Sequence, residues 1–516
     1  MYKNCLLFSL FCCLFLCSQA QLSNTSMDSL VEATRKAFDV PGIAVGVVKD
    51  GILVFAKGYG VRSLRTNAPV DENTLFGVAS NSKAFTCAAL QMLAEQGKLK
   101  LDDKVKKYIP EFQLYDNNVA DEFTIRDLVT HRSGLGLGAG DLMFFPEGGN
   151  ISSKDIINNL RYLKPVSSFR SKFDYNNNLY IVAGEIIHRV SGQTWEAFIE
   201  QNIMQPLDFK NSKAAYNRVP TNANIIDAHA PVNGKAIAIN HDWNETANPA
   251  GGIMSNITDM SKWVMTLINL GETPTGKRLL SEKSVKEMWS MNTPMPVTFG
   301  GPYNTHFYGY GLGFFVSDVK GFLQAQHTGG LIGTVTQVTI LPELKLGIIV
   351  LTNQQTGAAF NSITNAIKDS YLGYPNRNWL ANYKKSSDKN FENAKRITDS
   401  VFNLSAKTIS AQTFLLKPEQ VAGLYKDDLM GNIRITSENN VLRINFERSP
   451  RLKGTLLPLN STTYIAKWDD RSYDADAYVT FCTDKTRIAQ EIKMEAISPM
   501  TDFSFDFHDL EPKRVQ

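Results

Sequence analysis

Ser80 and Lys83 stand three residues apart at the head of an apolar, alanine-rich segment that carries no charge from residue 84 to residue 94. Residues three apart share a helix face, so the amine of Lys83 can reach Ser80 Oγ, and the positive end of the helix favours negative charge developing on that oxygen. A lysine enclosed by such a segment is expected to have its charge disfavoured by desolvation, which makes it usable as a base. The spacing alone is common, since Ser317 with Lys320 and Ser386 with Lys389 share it. Only Ser80 opens a long apolar helix. A plain helix N-cap is the bland alternative for Ser80, because serine is favoured there.

Two further clusters carry polar groups suited to proton transfer and substrate binding. Tyr175-Asn176-Asn177 follows Phe173 and leads into the apolar run 179–187, which reads as a buried helix. Tyr115-Asp116-Asn117 and Tyr374-Pro375-Asn376 have the same tyrosine-x-asparagine spacing but no such setting. His327-Thr328-Gly329-Gly330 precedes a strand expected to start near Thr334, and glycines there let a substrate approach the backbone closely. His131 and Asp259 read as structural.

The ordered trio of serine-x-x-lysine, tyrosine-x-asparagine and histidine-threonine-glycine resembles the penicillin-recognising serine enzymes, in the branch of class C β-lactamases, DD-peptidases and related esterases. The resemblance runs from about residue 42 to residue 371 and includes the flanking stretches 128–135, 249–253 and 310–313. It implies Ser80 as nucleophile, Lys83 and Tyr175 as the proton-transfer pair, and Asn177, His327, Thr328 and Gly329 as substrate-binding residues. The backbone N–H groups of Ser80 and Gly330 would form the oxyanion hole. His327 takes the place where many relatives carry lysine, so a fixed positive charge for a substrate carboxylate is missing and only a protonated imidazole could supply one. A tyrosinate at Tyr175 would need neighbouring cations to lower its pKa.

The reaction this implies is hydrolysis or acyl transfer through an acyl-Ser80 intermediate on a β-lactam, a D-amino-acid peptide or a small ester. The alternative from another class is a non-catalytic module that binds a peptide or glycan with the same fold. No Gly-x-Ser-x-Gly elbow, His-Glu-x-x-His helix, dinucleotide fingerprint or phosphate loop occurs, so no cofactor and no metal are expected. Lys plus Arg number 54 against 51 Asp plus Glu, a net charge of +3 without long runs of one sign, which gives no footprint for nucleic acid. The expected partner is a small-molecule or peptide substrate. The oligomeric state is left open.

The elements that must position these residues follow from periodicity and turn chemistry. At 516 residues and 43% hydrophobic, the chain is large enough for more than one domain. Residues 1–20 read as a signal peptide, with Lys3 ahead of an apolar run and Ser18-Gln19-Ala20 before the cut. An exported protein, periplasmic or secreted and without a membrane span after cleavage, is expected. Cys5, Cys12, Cys13 and Cys17 leave with that leader, and Cys87 and Cys482 remain, too few for a disulfide framework.

Residues 21–375 read as an α+β catalytic domain, an antiparallel sheet flanked by helices with a helical insertion. Hairpins around Asp50-Gly51 and Pro342-Glu343 supply the first and last strands. Residues 376–410 read as a polar linker with some helix. Residues 411–516 alternate in short runs between turns, the pattern of a small all-β, barrel-like domain that resembles a lipocalin. It carries no cluster of titratable residues that suggests chemistry of its own.

Overall fold

The central sheet is built from strands whose two faces are both apolar. In the computed structural model, which describes residues 21–515 apart from 242, 299, 412–415 and 440, the residues of strand β1 (Gly42–Lys49) alternate between two cores. Ile43, Val45 and Val47 face one and Ala44 and Val48 the other. The last sheet strand, Leu346–Thr352, divides the same way, Ile348 and Val350 against Ile349 and Leu351. A period of two with both sets buried demands helices on both faces.

Those helices are α1 (Asn24–Ala37) and the helix Gly357–Leu372 on one side. Ser82–Glu95 and Ile257–Ile268 lie on the other. Every pairing in the eight-stranded sheet is antiparallel. Its first two strands join the late hairpin through β1 and Leu346–Thr352, so the chain ends of the domain meet in mid-sheet while the helical segments form an insertion.

The stretch after the sheet forms one helix, Trp379–Ala411, fixed at both ends. Trp379, Leu380 and Tyr383 pack against the first domain. Near the other end, Ser405 and Thr408 donate to the carbonyls of Pro458 and Leu459. Beyond it, eight antiparallel strands from Gly423–Asp427 to Lys513–Arg514 close into a barrel. Eight strands leave an interior that side chains can fill, and along Val441–Phe446 the residues Leu442, Ile444 and Phe446 are the buried set.

The expected leader lies outside the described residues. Among the described residues no helix is long and apolar enough to cross a membrane, and no group of three or more His, Cys, Asp or Glu is placed to hold a metal ion.

Candidate active site

Ser80 sits in a single 3-10 turn, Ala79–Asn81, that runs directly into the helix Ser82–Glu95. Three hydrogen bonds to two partners, Ile253 and Thr336, hold the turn. Val78 N–H donates to Ile253 O at 2.9 Å, Asn81 Nδ2 donates to Thr336 Oγ1 at 2.9 Å, and Thr336 Oγ1 donates to Val78 O at 2.9 Å. Ala79 adopts a left-handed φ of 48°, a conformation that costs an L-residue on the order of 1 kcal/mol. The surrounding hydrogen bonds impose that strain, which lifts Ser80 to partial exposure while its neighbours Ala79 and Asn81 stay buried.

The strand Phe322–Leu331 lies against this turn. A Cβ on Gly329 would come within 2.2 Å of Val78 O and 2.9 Å of Ala79 Cβ, so only glycine lets strand and turn meet. Gly329 is therefore packed against the turn that carries Ser80. Its neighbours Thr328 and Gly330 are the exposed residues there, and a Cβ on Gly330 would meet nothing within 4 Å.

Lys83 is fully buried one helical turn below Ser80. Its Nζ lies 2.9 Å from Ser80 Oγ, 2.7 Å from Asn177 Oδ1 and 2.8 Å from Ala250 O, with the rings of Tyr175 and Tyr180 at 4.9 and 5.2 Å. No carboxylate touches it among the described residues. Burial brings its pKa down to about 7, against the opposing charge of Asp141. Cys87, buried one turn further on, has its thiol pushed up to about 12 by the same enclosure and is no nucleophile.

Tyr175 and Asn177 stand just before the helix Asn178–Ser191. Burial pushes the Tyr175 hydroxyl well above its ordinary range, with a hydrogen bond to Ser80 opposing, so the resting side chain is a neutral phenol and not a tyrosinate. His131 stacks on it with ring centroids 4.2 Å apart and accepts Asn176 N–H at Nδ1. It is a buried support for the tyrosine loop. Asp259 accepts the backbone N–H groups of Lys210, Asn211 and Ser212, a structural tie. Asn177 spends both ends of its amide, Oδ1 on Lys83 and Nδ2 on Asp141 Oδ2 at 2.7 Å.

His327 is 2% exposed, which bears on whether its imidazole carries a charge. Nδ1 lies 2.6 Å from the Thr328 carbonyl, which can only accept, so Nδ1 carries the proton and Nε2 accepts from the Tyr310 hydroxyl at 2.9 Å. Burial and the nearby Lys83 hold its pKa down to about 3. The imidazole is neutral and buried among Tyr175, Tyr310 and Phe315, and it offers no charge to a substrate carboxylate.

The barrel, expected to carry no cluster of titratable residues with chemistry of its own, also reaches the site of the first domain. Ser504 Oγ donates to Asp141 Oδ2 at 2.8 Å, and the Asp506 carboxylate accepts Gly140 N–H at 2.6 Å and Leu142 N–H at 3.0 Å. The ring of Phe503 meets that of Tyr175 edge-on at 5.7 Å. Asp141, with burial raising its pKa to about 7, belongs to none of the three motifs. Its signal was a lone carboxylate heading the apolar run Leu142-Met143-Phe144-Phe145. Ser504 had no signal in the sequence.

Comparison with known proteins matches this layout. The family model described as beta-lactamase matches residues 27–371, and a domain family of unknown function, DUF3471, matches residues 415–514. The chain is similar to the Unguisins hydrolase ungD of Aspergillus violaceofuscus, 26% identical over 66% of this chain and 63% of that protein. It is also similar to Protein flp of Staphylococcus aureus, 25% identical over 64% of this chain and 63% of that one. The chain thus spans less than two thirds of the length of these curated relatives. In three dimensions it is similar to the octameric penicillin-binding protein homologue from Pyrococcus abyssi, with a TM-score of 0.60 at 21% identity, covering 95% of this chain and 99% of that one. The family match over most of the chain, joined to the serine-lysine-tyrosine cluster, leads to one conclusion: this chain belongs to the β-lactamase family.

Proposed function

We propose that the chain is an exported serine hydrolase or acyltransferase that takes the acyl group of an amide or ester onto Ser80 and passes it to water, an amine or an alcohol. The observation that carries this reading is the set of three partners around Lys83. Asn177 Oδ1 and Ala250 O can only accept, so they hold two of the ammonium's protons in place. When Lys83 gives up the third, its lone pair points at Ser80, the one partner with a proton to offer. Burial makes that loss available near pH 7.

Ser80 Oγ then attacks the substrate carbonyl carbon as its proton moves to Lys83. The neutral Tyr175 phenol stands beside Ser80 to relay a proton to the leaving group. The N–H groups of Ser80 and Gly330 would receive the carbonyl oxygen, a contribution of roughly 3 kcal/mol for one such donor. Asn177 and Thr328 are the side chains proposed to hold the substrate. Because His327 is neutral, uncharged esters and amides fit the site better than β-lactam or D-amino-acid carboxylates. The hydrolase named among the relatives supports hydrolysis over plain binding.

The test is turnover of p-nitrophenyl acetate by the full-length protein. Burst release of p-nitrophenol equal to the enzyme concentration, lost in Ser80→Ala, is expected. A burst that survives Ser80→Ala would place the acyl group on another residue, and no turnover of any ester or amide in a panel would leave the binding-module reading in its place.

A further inference from the structure

Asn177 is an amide, and nothing in its own chemistry decides which end faces Lys83. With Oδ1 toward the amine it accepts a hydrogen bond. Turned over, its NH₂ would face the amine and compete with the Ser80 hydroxyl for the lone pair. Asp141 decides, because its Oδ2 accepts Asn177 Nδ2–H at 2.7 Å. Asp141 itself is tied down by the barrel: its neighbours Gly140 and Leu142 donate their N–H groups to Asp506, and Ser504 Oγ donates to Asp141 Oδ2 at 2.8 Å. Among the described residues Oδ1 is buried without a hydrogen-bond partner, so Ser504 supplies one of the two bonds seen there to this carboxylate.

We propose that Ser504 of the barrel is a positioning residue of the active site, which by holding Asp141 fixes the orientation of Asn177 and so aims the lone pair of Lys83 at Ser80. The inference rests on the acyl-Ser80 reading and carries that site into the second domain. Lys83 is faced by Asp141, Cys87, Tyr175, Tyr180, His131 and His327, and Asp141 by Lys83, Asp502 and Asp506. Among the charges around Lys83, Asp141 has the largest effect and raises its pKa, while the Ser504 hydroxyl stabilises the charged form of Asp141. Removing either one moves the Lys83 pKa in the same direction, downward.

The test is the rate at which a fluorophosphonate probe labels the full-length protein across the pH range, in wild type, Ser504→Ala, Ser504→Thr, Asp141→Asn and the Ser504→Ala/Asp141→Asn double variant, with melting temperatures measured alongside. Ser504→Ala should label about tenfold more slowly on the plateau, the loss typical when a group that orients a reactive side chain from outside is removed. Its acid limb should also move to lower pH. Ser504→Thr, which keeps the hydroxyl, should recover most of the rate. The double variant should be no slower than Asp141→Asn alone, since both act through one chain of bonds.

A wild-type rate and an unmoved acid limb in Ser504→Ala would overturn the proposal. So would losses that multiply in the double variant. If Ser504→Ala does not fold, Asp141→Asn decides alone: an acid limb that stays in place overturns the relay, and one that moves down supports it. Labelling that persists in Ser80→Ala would instead overturn the acyl-enzyme reading, and this inference with it.

Discussion

The rate of Ser80 acylation should follow the titration of Lys83. With its pKa brought down to about 7 by burial, the amine is neutral in about 1% of molecules at pH 5, about half at pH 7 and about 99% at pH 9. At the ordinary value of 10.5 only about 3% would be neutral even at pH 9. Fluorophosphonate labelling should therefore rise about tenfold per pH unit below pH 6, pass half-maximum near 7 and level off by about pH 8.

Lys83→Met removes the base while keeping much of the side-chain volume. It leaves Asn177 Oδ1 and Ala250 O without a donor, a cost of about 1–3 kcal/mol each, and removes a desolvated amine in return. The melting temperature should shift by a few degrees, whereas labelling should fall about 10²- to 10⁴-fold and lose its pH dependence. A half-maximum above about pH 9, or a Lys83→Met rate within about tenfold of wild type, would refute the assignment of Lys83 as the base.

Four further expectations follow from the same geometry. Tyr175→Phe should lower ester turnover by about 10²- to 10⁴-fold with little change in melting temperature, since it deletes one hydroxyl and opens no cavity; near-normal turnover would remove Tyr175 from the proton path. Gly329→Ala should cost about 1–3 kcal/mol in thermal unfolding, because its Cβ would meet Val78 O at 2.2 Å, while Gly330→Ala should leave unfolding nearly unchanged. His327→Lys should lower the melting temperature and give no gain in turnover of anionic over neutral esters, because the new ammonium would lie buried among aromatic rings. Lys83 and the equally buried Lys368, both brought from 10.5 to about 7, hold fewer protons folded than unfolded between those values. Stability should therefore rise with pH through that window, by up to about 1.4 kcal/mol per unit for each, and Lys368→Met should flatten the slope in denaturant titrations.

The fold was legible where local rules and burial agree. The hairpins at Asp50-Gly51 and Pro342-Glu343, the helix after Ser80 and the alternating runs of the barrel all appear where turn chemistry and periodicity put them. The strand carrying His327 was not legible as a strand, because Gly329-Gly330 interrupts its pattern, and the reason for Gly329 is a turn more than two hundred residues away in sequence. The serine-lysine-tyrosine cluster could be read from short motifs because each lies beside a helix start that fixes its neighbours.

Whether His327 could carry a charge was left open by the sequence, since a histidine's burial is a property of the packing around it and not of the residues beside it. Ser504 was invisible, and the lone carboxylate of Asp141 gave no hint of its partner, for a related reason. They meet only because the barrel folds back onto the loop before Tyr175, a contact between positions 363 residues apart.

The central claim is that Ser80 carries the acyl group, and intact-protein mass spectrometry after brief reaction with a p-nitrophenyl ester tests it most directly. The account predicts a mass increase of one acyl group, mapped by peptide sequencing to Ser80, abolished in Ser80→Ala and sharply reduced in Lys83→Met. An adduct on any other residue, or one that forms equally well in Ser80→Ala, would contradict it.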